Sequence, residues 1–436
     1  MKTLLPFSLL LPLAMGVLCA AGPTPPLTLE DCLRVATDRQ PLLTAAAAGV
    51  AAAGETVDVA RAPYWPQVDL AAGYHRWQKR AFLPSGLVLP GRSLPEVIGP
   101  LNDWTGGLAS RMMLVDFGER RAVLATARAQ LSGAQADAAA ARSDVRLSVQ
   151  SAFYALAAAQ DLRDLADRSL ARTDGHLTLA RARHDAGAVP QADVLRVQAE
   201  VASAQLELIN ARSRVRAAAG QLNAAMGRPA EAPLSIAPPP AEASPQSTMD
   251  IEAAVTQALA RRPELRSGQQ RVEAARASVD GARAARAPKL HADGSYGWND
   301  TGFLPETKEW QVGVSVDLPV FDAGSRAHQL ARTKAELARN QASYDSRVLQ
   351  VRQEVWVAAT ELERARDSIA ANETNVRASE ESLRVSRERY QSGAAVITDL
   401  LDTQTALASA EASLAVARWS LLTASAAYNR AIGAGL

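Results

Sequence analysis

Trp310-Gln311-Val312-Gly313-Val314-Ser315-Val316-Asp317-Leu318 alternates without a break, with Trp, Val, Val, Val and Leu separated by Gln, Gly, Ser and Asp. A β-strand puts alternate residues on opposite faces, so this stretch predicts a strand with one apolar and one polar face. The segment before it behaves alike: Leu290, Ala292, Tyr296 and Trp298 oppose His291, Asp293, Ser295 and Asn299. Earlier in the chain Val68, Leu70, Ala72 and Tyr74 oppose Gln67, Asp69 and Gly73. A rougher version, Trp104 to Leu114, sets Leu108, Met112 and Leu114 against Arg111. Apolar outside, polar inside and aromatic near the ends is the pattern of strands in an outer-membrane barrel. A half-buried sheet in a soluble protein alternates in the same way, so the strands alone leave both readings open.

The strands come in two pairs because the chain is two copies of one pattern. Glu30, Pro41, Arg61, Pro66 and Tyr74 return 222 positions later as Glu252, Pro263, Arg283, Pro288 and Tyr296. From the strands onward the offset is 206: Trp104, Asp116, Gly118, Gly187, Asp193, Gln198, Asn223 and Gly227 match Trp310, Asp322, Gly324, Gly393, Asp399, Gln404, Asn429 and Gly433. The difference falls between the Tyr and the Trp of each copy, which marks one variable loop in a duplicated scaffold. The expected organisation is a signal over 1–21, a first repeat over 22–227, a Pro-rich linker over 228–250 and a second repeat over 251–436. Each repeat reads as helix, two strands, long helix, helix.

Helix dominates outside the strands. No proline interrupts Gly118 to Ala186, and apolar residues recur every seven at Leu124, Leu131, Ala138, Val145 and Ala152. The second copy keeps the register at Leu330, Leu337, Tyr344, Val351 and Ala358. A sustained period of seven implies supercoiled packing against neighbouring helices. Such a rod would be about 100 Å long at 1.5 Å per residue. Shorter helices near 29–62 and 191–226 could stack end to end beside it. Asp116-Phe117-Gly118 spells the magnesium-binding tripeptide of kinases, but its copy is Asp322-Ala323-Gly324 and no Gly-rich loop accompanies it. A turn with Asp at the helix start is the better reading.

Composition narrows the class. Lys and Arg number 47 against 46 Asp and Glu, so no excess of basic charge argues for nucleic acid. Lys2, the apolar run from Leu4 to Leu18 and small residues at Ala20 and Ala21 read as a secretory signal. Cys19 raises lipidation, although Leu18 before it is bulky where lipoprotein signals want a small side chain. Cys32 is then the sole mature cysteine, a small hydrophobe without a disulfide partner. After the signal we find no unbroken run of about 18 apolar residues, so membrane insertion would have to use strands closed into a barrel. Loop 75–103, with His75, Arg76, Lys79 and Arg80 beside Trp77 and Phe82, could meet anionic headgroups or simply be solvated.

We find no catalytic constellation, no phosphate loop and no cofactor motif. His75, His176, His184, His291 and His328 have no metal-ligand spacing. The informative cluster lies at the two helical hairpins. One reads His184-Asp185-Ala186-Gly187-Ala188, then Asp193 and Arg196; the other Tyr390-Gln391-Ser392-Gly393-Ala394, then Asp399 and Asp402. Gly187 and Gly393 end a helix, and Asp193 and Asp399 fall in the first turn of the next, where the dipole favours a carboxylate. Asp399 and Asp402, three apart, share one helix face.

The duplicated plan, Pro66-Gln67-Val68 and Pro288-Lys289-Leu290 at the strand starts, the Asp-x-Gly turns and the Gly-to-Asp hairpins resemble the TolC family of outer-membrane efflux proteins over nearly the whole mature chain. The resemblance implies a homotrimer with a twelve-stranded barrel in the outer membrane, four strands per protomer, continued by a tunnel of helices across the periplasm. It also implies a passive exit duct for drugs, metal ions or secreted proteins, with no cofactor. Its partners would be a periplasmic adaptor at the hairpin tips (Gly187, Ala188, Gly393, Ala394) and an inner-membrane pump. Asp399 and Asp402 match aspartates that ring the aperture, and Tyr390 matches a tyrosine that holds it shut. The family's lock arginine falls at Ala395, a departure that Arg196, the duplicate of Asp402, could offset near Asp193. The competing class is a periplasmic adaptor or coiled-coil scaffold without a pore.

Overall fold

The computed structural model describes residues 26–79, 100–237, 250–303 and 308–434, with strand fragments at 81–82, 88–89, 92–93 and 97–98. The signal segment, Cys19 and most of the Pro-rich linker lie outside the described residues. Twelve main elements follow one another as α1 (Leu29–Arg39), α2 (Pro41–Arg61), β1 (Gln67–Trp77), β2 (Leu101–Val115), α3 (Glu119–Asp185), α4 (Gln191–Ala225), α5 (Ile251–Arg261), α6 (Pro263–Ala284), β3 (Lys289–Asp300), β4 (Glu309–Asp317), α7 (Ser325–Gln391) and α8 (Ile397–Ala431). α3 and α7 each have 67 residues, and α4 and α8 each have 35.

The helix expected over 29–62 is two helices. Gln40 takes an extended backbone, φ −70° and ψ 115°, because a residue before proline is pushed out of the helical region. Arg262 before Pro263 breaks the second half in the same way, with φ −67° and ψ 124°. The variable loop is also shorter than expected, since β1 runs on to Trp77 and β2 resumes at Leu101.

The four long strands form one antiparallel sheet in the order β1-β2-β3-β4. Register carries the alternation across the sheet. Leu70 pairs with Leu108, Leu108 with Tyr296 and Tyr296 with Trp310. Ala292 likewise joins Met112 to Val314. Directly paired residues share a face, so the apolar positions of all four strands make one continuous surface. Most of it is exposed, including Leu70, Val312, Val314 and Val316. The opposite face carries Asp69, Arg111, Asp293, Ser295, Gln311 and Ser315. Trp298 lies on Gly106, where a Cβ would sit 2.4 Å from the indole, so that position admits no side chain. Aromatics collect at both ends of the sheet: Tyr74, Trp104 and Phe303 at the far end, Tyr64, Trp65, Phe117 and Phe321 at the helical end.

Sheet and helices meet at two Asp-x-Gly turns. Asp116 accepts hydrogen bonds from Gly118 N at 3.1 Å and Arg120 N at 2.8 Å, while Phe117 and Gly118 both take positive φ. The Arg120 guanidinium donates to Asp116 and to the carbonyls of Pro63, Met113 and Leu114, knitting the end of β2 and the turn before β1 to α3. Asp322 repeats the turn through Gly324 N and Arg326 N.

Beyond the turns the helices form a layer. Near the sheet its order is α2-α3-α6-α7, and toward the hairpins it is α4-α3-α8-α7. None of the ten period-seven residues is exposed; Val145 is buried and Val351 fully so. Cys32, Val149, Phe153, Leu222 and Met226 centre one core, where burial pushes the Cys32 thiol up to about 11. The start of the Pro-rich segment is tied down: Leu27 N donates to Ser235 O and Ala237 N to Leu27 O. One helical span, Pro41–Tyr64, passes as long and apolar enough to cross a membrane, with a hydropathy of 1.3. Alanine supplies that average, and Thr44, Glu55 and Asp58 interrupt any unbroken apolar run. Val57 and Ala60 on this helix pack against Ala127 of α3.

Arg262, 1% exposed at the α5–α6 break, organises a polar network that joins four helices. It pairs with Glu264 at 3.1 Å and with Glu354 of α7. Arg430 of α8 joins Glu264 and, at 2.6 Å, Asp144 of α3. Burial works to raise the Glu264 carboxyl, but hydrogen bonds and charge from Arg262, with Arg430, outweigh it and hold the group down at about 2. A carboxylate depressed in the folded state stabilises fully above its unfolded value near 4.5 and loses that contribution as pH falls toward 2. Arg262→Ala removes the buried cation of the network and leaves Glu264 to Arg430 and Arg347, and Glu354 to Arg347 alone; it should lower stability in denaturant unfolding at neutral pH by at most about 3 kcal/mol. Its acid transition should begin at higher pH than that of the unsubstituted protein; coincident transitions would remove Arg262 from the network's centre.

Candidate functional site

The end of the molecule farthest from the sheet is built by two hairpins of the same construction. Gly187, φ +73°, closes α3 with hydrogen bonds from Gly187 N to His184 O and from Ala188 N to Arg183 O, each 2.8 Å. Gly393, φ +82°, closes α7 through Tyr390 O at 3.1 Å and Arg389 O at 2.8 Å. This double bond pattern needs a left-handed residue after the helix, which glycine provides without a Cβ clash. Pro190 and Val396, both extended, then start α4 and α8. Asp193 and Asp399 stand in the first turns that follow.

An apolar cluster joins the hairpins: Leu177, Ala180, Val194 and Val197 meet Tyr390, Ile397, Leu400 and Leu401. Leu400 and Leu401 turn inward, so Asp399 and Asp402 are both exposed. Tyr390, 1% exposed, has a hydroxyl without a hydrogen-bond partner among the described residues. Burial raises its pKa; the Arg183 charge opposes that and the Asp193 charge adds to it. Asp193 thus lies close enough for its charge to reach Tyr390. Arg196 is exposed on α4, and the guanidinium that meets Tyr390 belongs to Arg183. The sequence held one signal for this residue, a basic side chain in the last turn of α3 that recurs as Arg389 in α7.

Closer to the middle of α3 lies a buried polar cluster. Gln404 of α8 donates from Nε2 to Thr173 Oγ1, and His176 lies beside them at 8% exposure. Arg172 and Glu411 form a pair at 2.7 Å across the same helices.

With this geometry in view, comparison with known proteins decides the family. The model of the family described as outer membrane efflux protein matches residues 32–228 and 254–434. The chain belongs to the outer membrane efflux protein family. It is an outer-membrane efflux channel, and the pore-less adaptor is set aside. Protein CyaE of Bordetella pertussis is 29% identical over 386 residues, covering 87% of this chain and 78% of that one. The outer-membrane channel OprN superposes with a TM-score of 0.84 at 23% identity, over 93% of this chain and 90% of its own. VceC of Vibrio cholerae gives 0.80 at 21% identity, over 93% and 96%. The two structures bear on fold: long helices carrying a small antiparallel sheet are the architecture of these efflux channels.

The polar cluster gives the hairpin end of this efflux channel a pH dependence. Burial lowers the His176 pKa, Arg387 and Arg172 lower it further, and Gln404 partly opposes them. A histidine whose folded value lies below its unfolded value near 6.5 leaves stability intact above that pH and erodes it as pH falls. Amide protection around Thr173 and Gln404, measured relative to an intrinsic exchange rate that itself slows as pH falls, should therefore decrease between pH 7.5 and 5.5. His176→Gln should flatten that trend; an unaltered trend would place its cause elsewhere.

Proposed function

We propose that three copies of this chain close head to tail into one channel, a barrel of twelve strands continued by a tunnel of helices into the periplasm. The observation that carries this reading is that the open sides of sheet and helical layer coincide. β1 and β4 are the sheet's edges, and α2 with α4 on one flank and α7 on the other are the layer's edges. An unpaired strand edge is not tolerated in lipid, and four strands are too few to close a barrel alone. The same flanks leave apolar side chains uncovered: Leu42 and Val59 on α2, Leu195, Leu206 and Ile209 on α4, Leu349, Trp356 and Val357 on α7. Unlike flanks meeting repeatedly generate a ring when the rotation closes. The equal lengths of α3 and α7, and of α4 and α8, support two repeats over 22–227 and 251–436, after a cleaved signal over 1–21 and joined through 228–250.

The apolar sheet face, with aromatics at both ends, then meets outer-membrane lipid, and the polar face lines the pore. The protein acts as a passive duct for drugs, metal ions or secreted proteins delivered by an inner-membrane pump through a periplasmic adaptor. The adaptor meets the tips at Gly187-Ala188 and Gly393-Ala394. Exposed Asp399 and Asp402, repeated three times, form a ring of six carboxylates at the aperture, with Tyr390, Asp193 and Arg196 around it. Such a ring favours cations and repels anions. Single-channel recording in planar bilayers tests it. Asp399→Ala with Asp402→Ala should lower the cation-to-anion permeability ratio and weaken block by added divalent cations. An unchanged ratio would remove the carboxylate ring.

A further inference from the structure

Arg183 is a side chain of the last turn of α3 whose contacts all lie on the other hairpin. Its guanidinium stands 4.8 Å from the centroid of the buried Tyr390 ring, and Nη1 donates to the Tyr390 carbonyl. Nη2 lies 3.6 Å from the point a Cβ on Gly393 would occupy. We propose that Arg183 is the clamp that ties the two hairpin tips of one subunit together and so sets the resting width of the aperture. The clamp stands on these contacts alone; the consequence for width rests on the aperture reading above.

The chemistry of a helix end explains why an arginine works here. The last carbonyls of α7 lack partners within the helix, and the partial negative charge of the helix end gathers on them. The Tyr390 carbonyl already accepts from Gly393 N, and Arg183 supplies a second, charged donor. Its side chain also faces the tyrosine ring, so a cation–π contact adds to the hydrogen bond in a site shielded from water. Arg183 is itself two residues from the end of α3, so its charge also lies near the negative end of its own helix.

The contact has no mirror image in the other half of the chain. Arg389, the duplicate of Arg183, reaches only Ala394 O of its own turn, at 3.5 Å. His184, the duplicate of Tyr390, has its Nδ1 3.0 Å from Val189 O within its own hairpin. The apolar cluster around Leu400 and Val197 also holds the hairpins together, but apolar contact is non-directional and tolerates sliding. Arg183 adds direction, fixing the first tip's position against the turn of the second.

The test measures tip separation and conductance apart. In a Cys32→Ser background, Ala188→Cys and Ala394→Cys are spin-labelled, and labelled subunits are diluted with unlabelled ones before assembly. Pulsed dipolar spectroscopy then reads the distance within one subunit. Arg183→Gln should lengthen and broaden that distribution, Arg183→Lys should restore part of it, and Arg389→Gln should leave it unchanged. Tyr390→Leu keeps the carbonyl but loses the ring and should broaden it less than Arg183→Gln does. In bilayers Arg183→Gln should raise conductance several-fold at unchanged assembly yield. An unchanged distribution in Arg183→Gln overturns the clamp, as does equal broadening by Arg389→Gln. A broadened distribution with unchanged conductance upholds the clamp and overturns its control of the aperture.

Discussion

The structure depends on the unpaired backbone of two strand edges. Every N–H and C=O within a lipid bilayer needs a partner, and β1 and β4 each present a row that the chain itself leaves unpaired. A soluble protein would cover or charge such edges. Here they continue into helical flanks that are uncovered too, with Trp356 and Leu349 on α7 and Ile209 and Leu206 on α4. Sheet and layer therefore impose one requirement, and in the proposed trimer a neighbouring copy on each side would meet both at once.

That requirement explains why the contacts inside a subunit are concentrated at a few levels. Ala-rich helices bury little area per turn, so side-by-side packing alone would let them slide. Arg120 pins α3 to the end of β2 and the turn before β1, the Arg262 network ties α6 to α3, α7 and α8, and Arg183 joins the tips. Between these levels lie an apolar core around Phe153, Leu222 and Met226 and the polar contacts Gln404–Thr173 and Arg172–Glu411.

Much of this architecture was legible in the residues because it follows from local periodicity. The even spacing of Trp310, Val312, Val314 and Val316 defined β4, and the pairing of Tyr296 with Trp310 carried that face into its neighbour. Gly187 and Gly393 marked the helix ends because few residues accept a positive φ. The breaks at Gln40 and Arg262 were also readable, since Pro41 and Pro263 stand next to them, although the helical pattern on either side masked them. What could not be read was the rotation of one long helix against another. Arg183 and Arg196 are both plausible partners for Tyr390 by spacing, and only the placement of α3 beside the end of α7 selects Arg183. The Arg262 network escaped for the same reason, as its acids come from three different helices.

Closure across copies is the claim on which the rest stands, and the mass of the assembled protein tests it most directly. Native mass spectrometry of the mature protein, extracted in mild detergent, should give a single species of three chains. It should persist on dilution, because separation would expose six strand edges together with their helical flanks. A stable monomer under the same conditions would contradict the account.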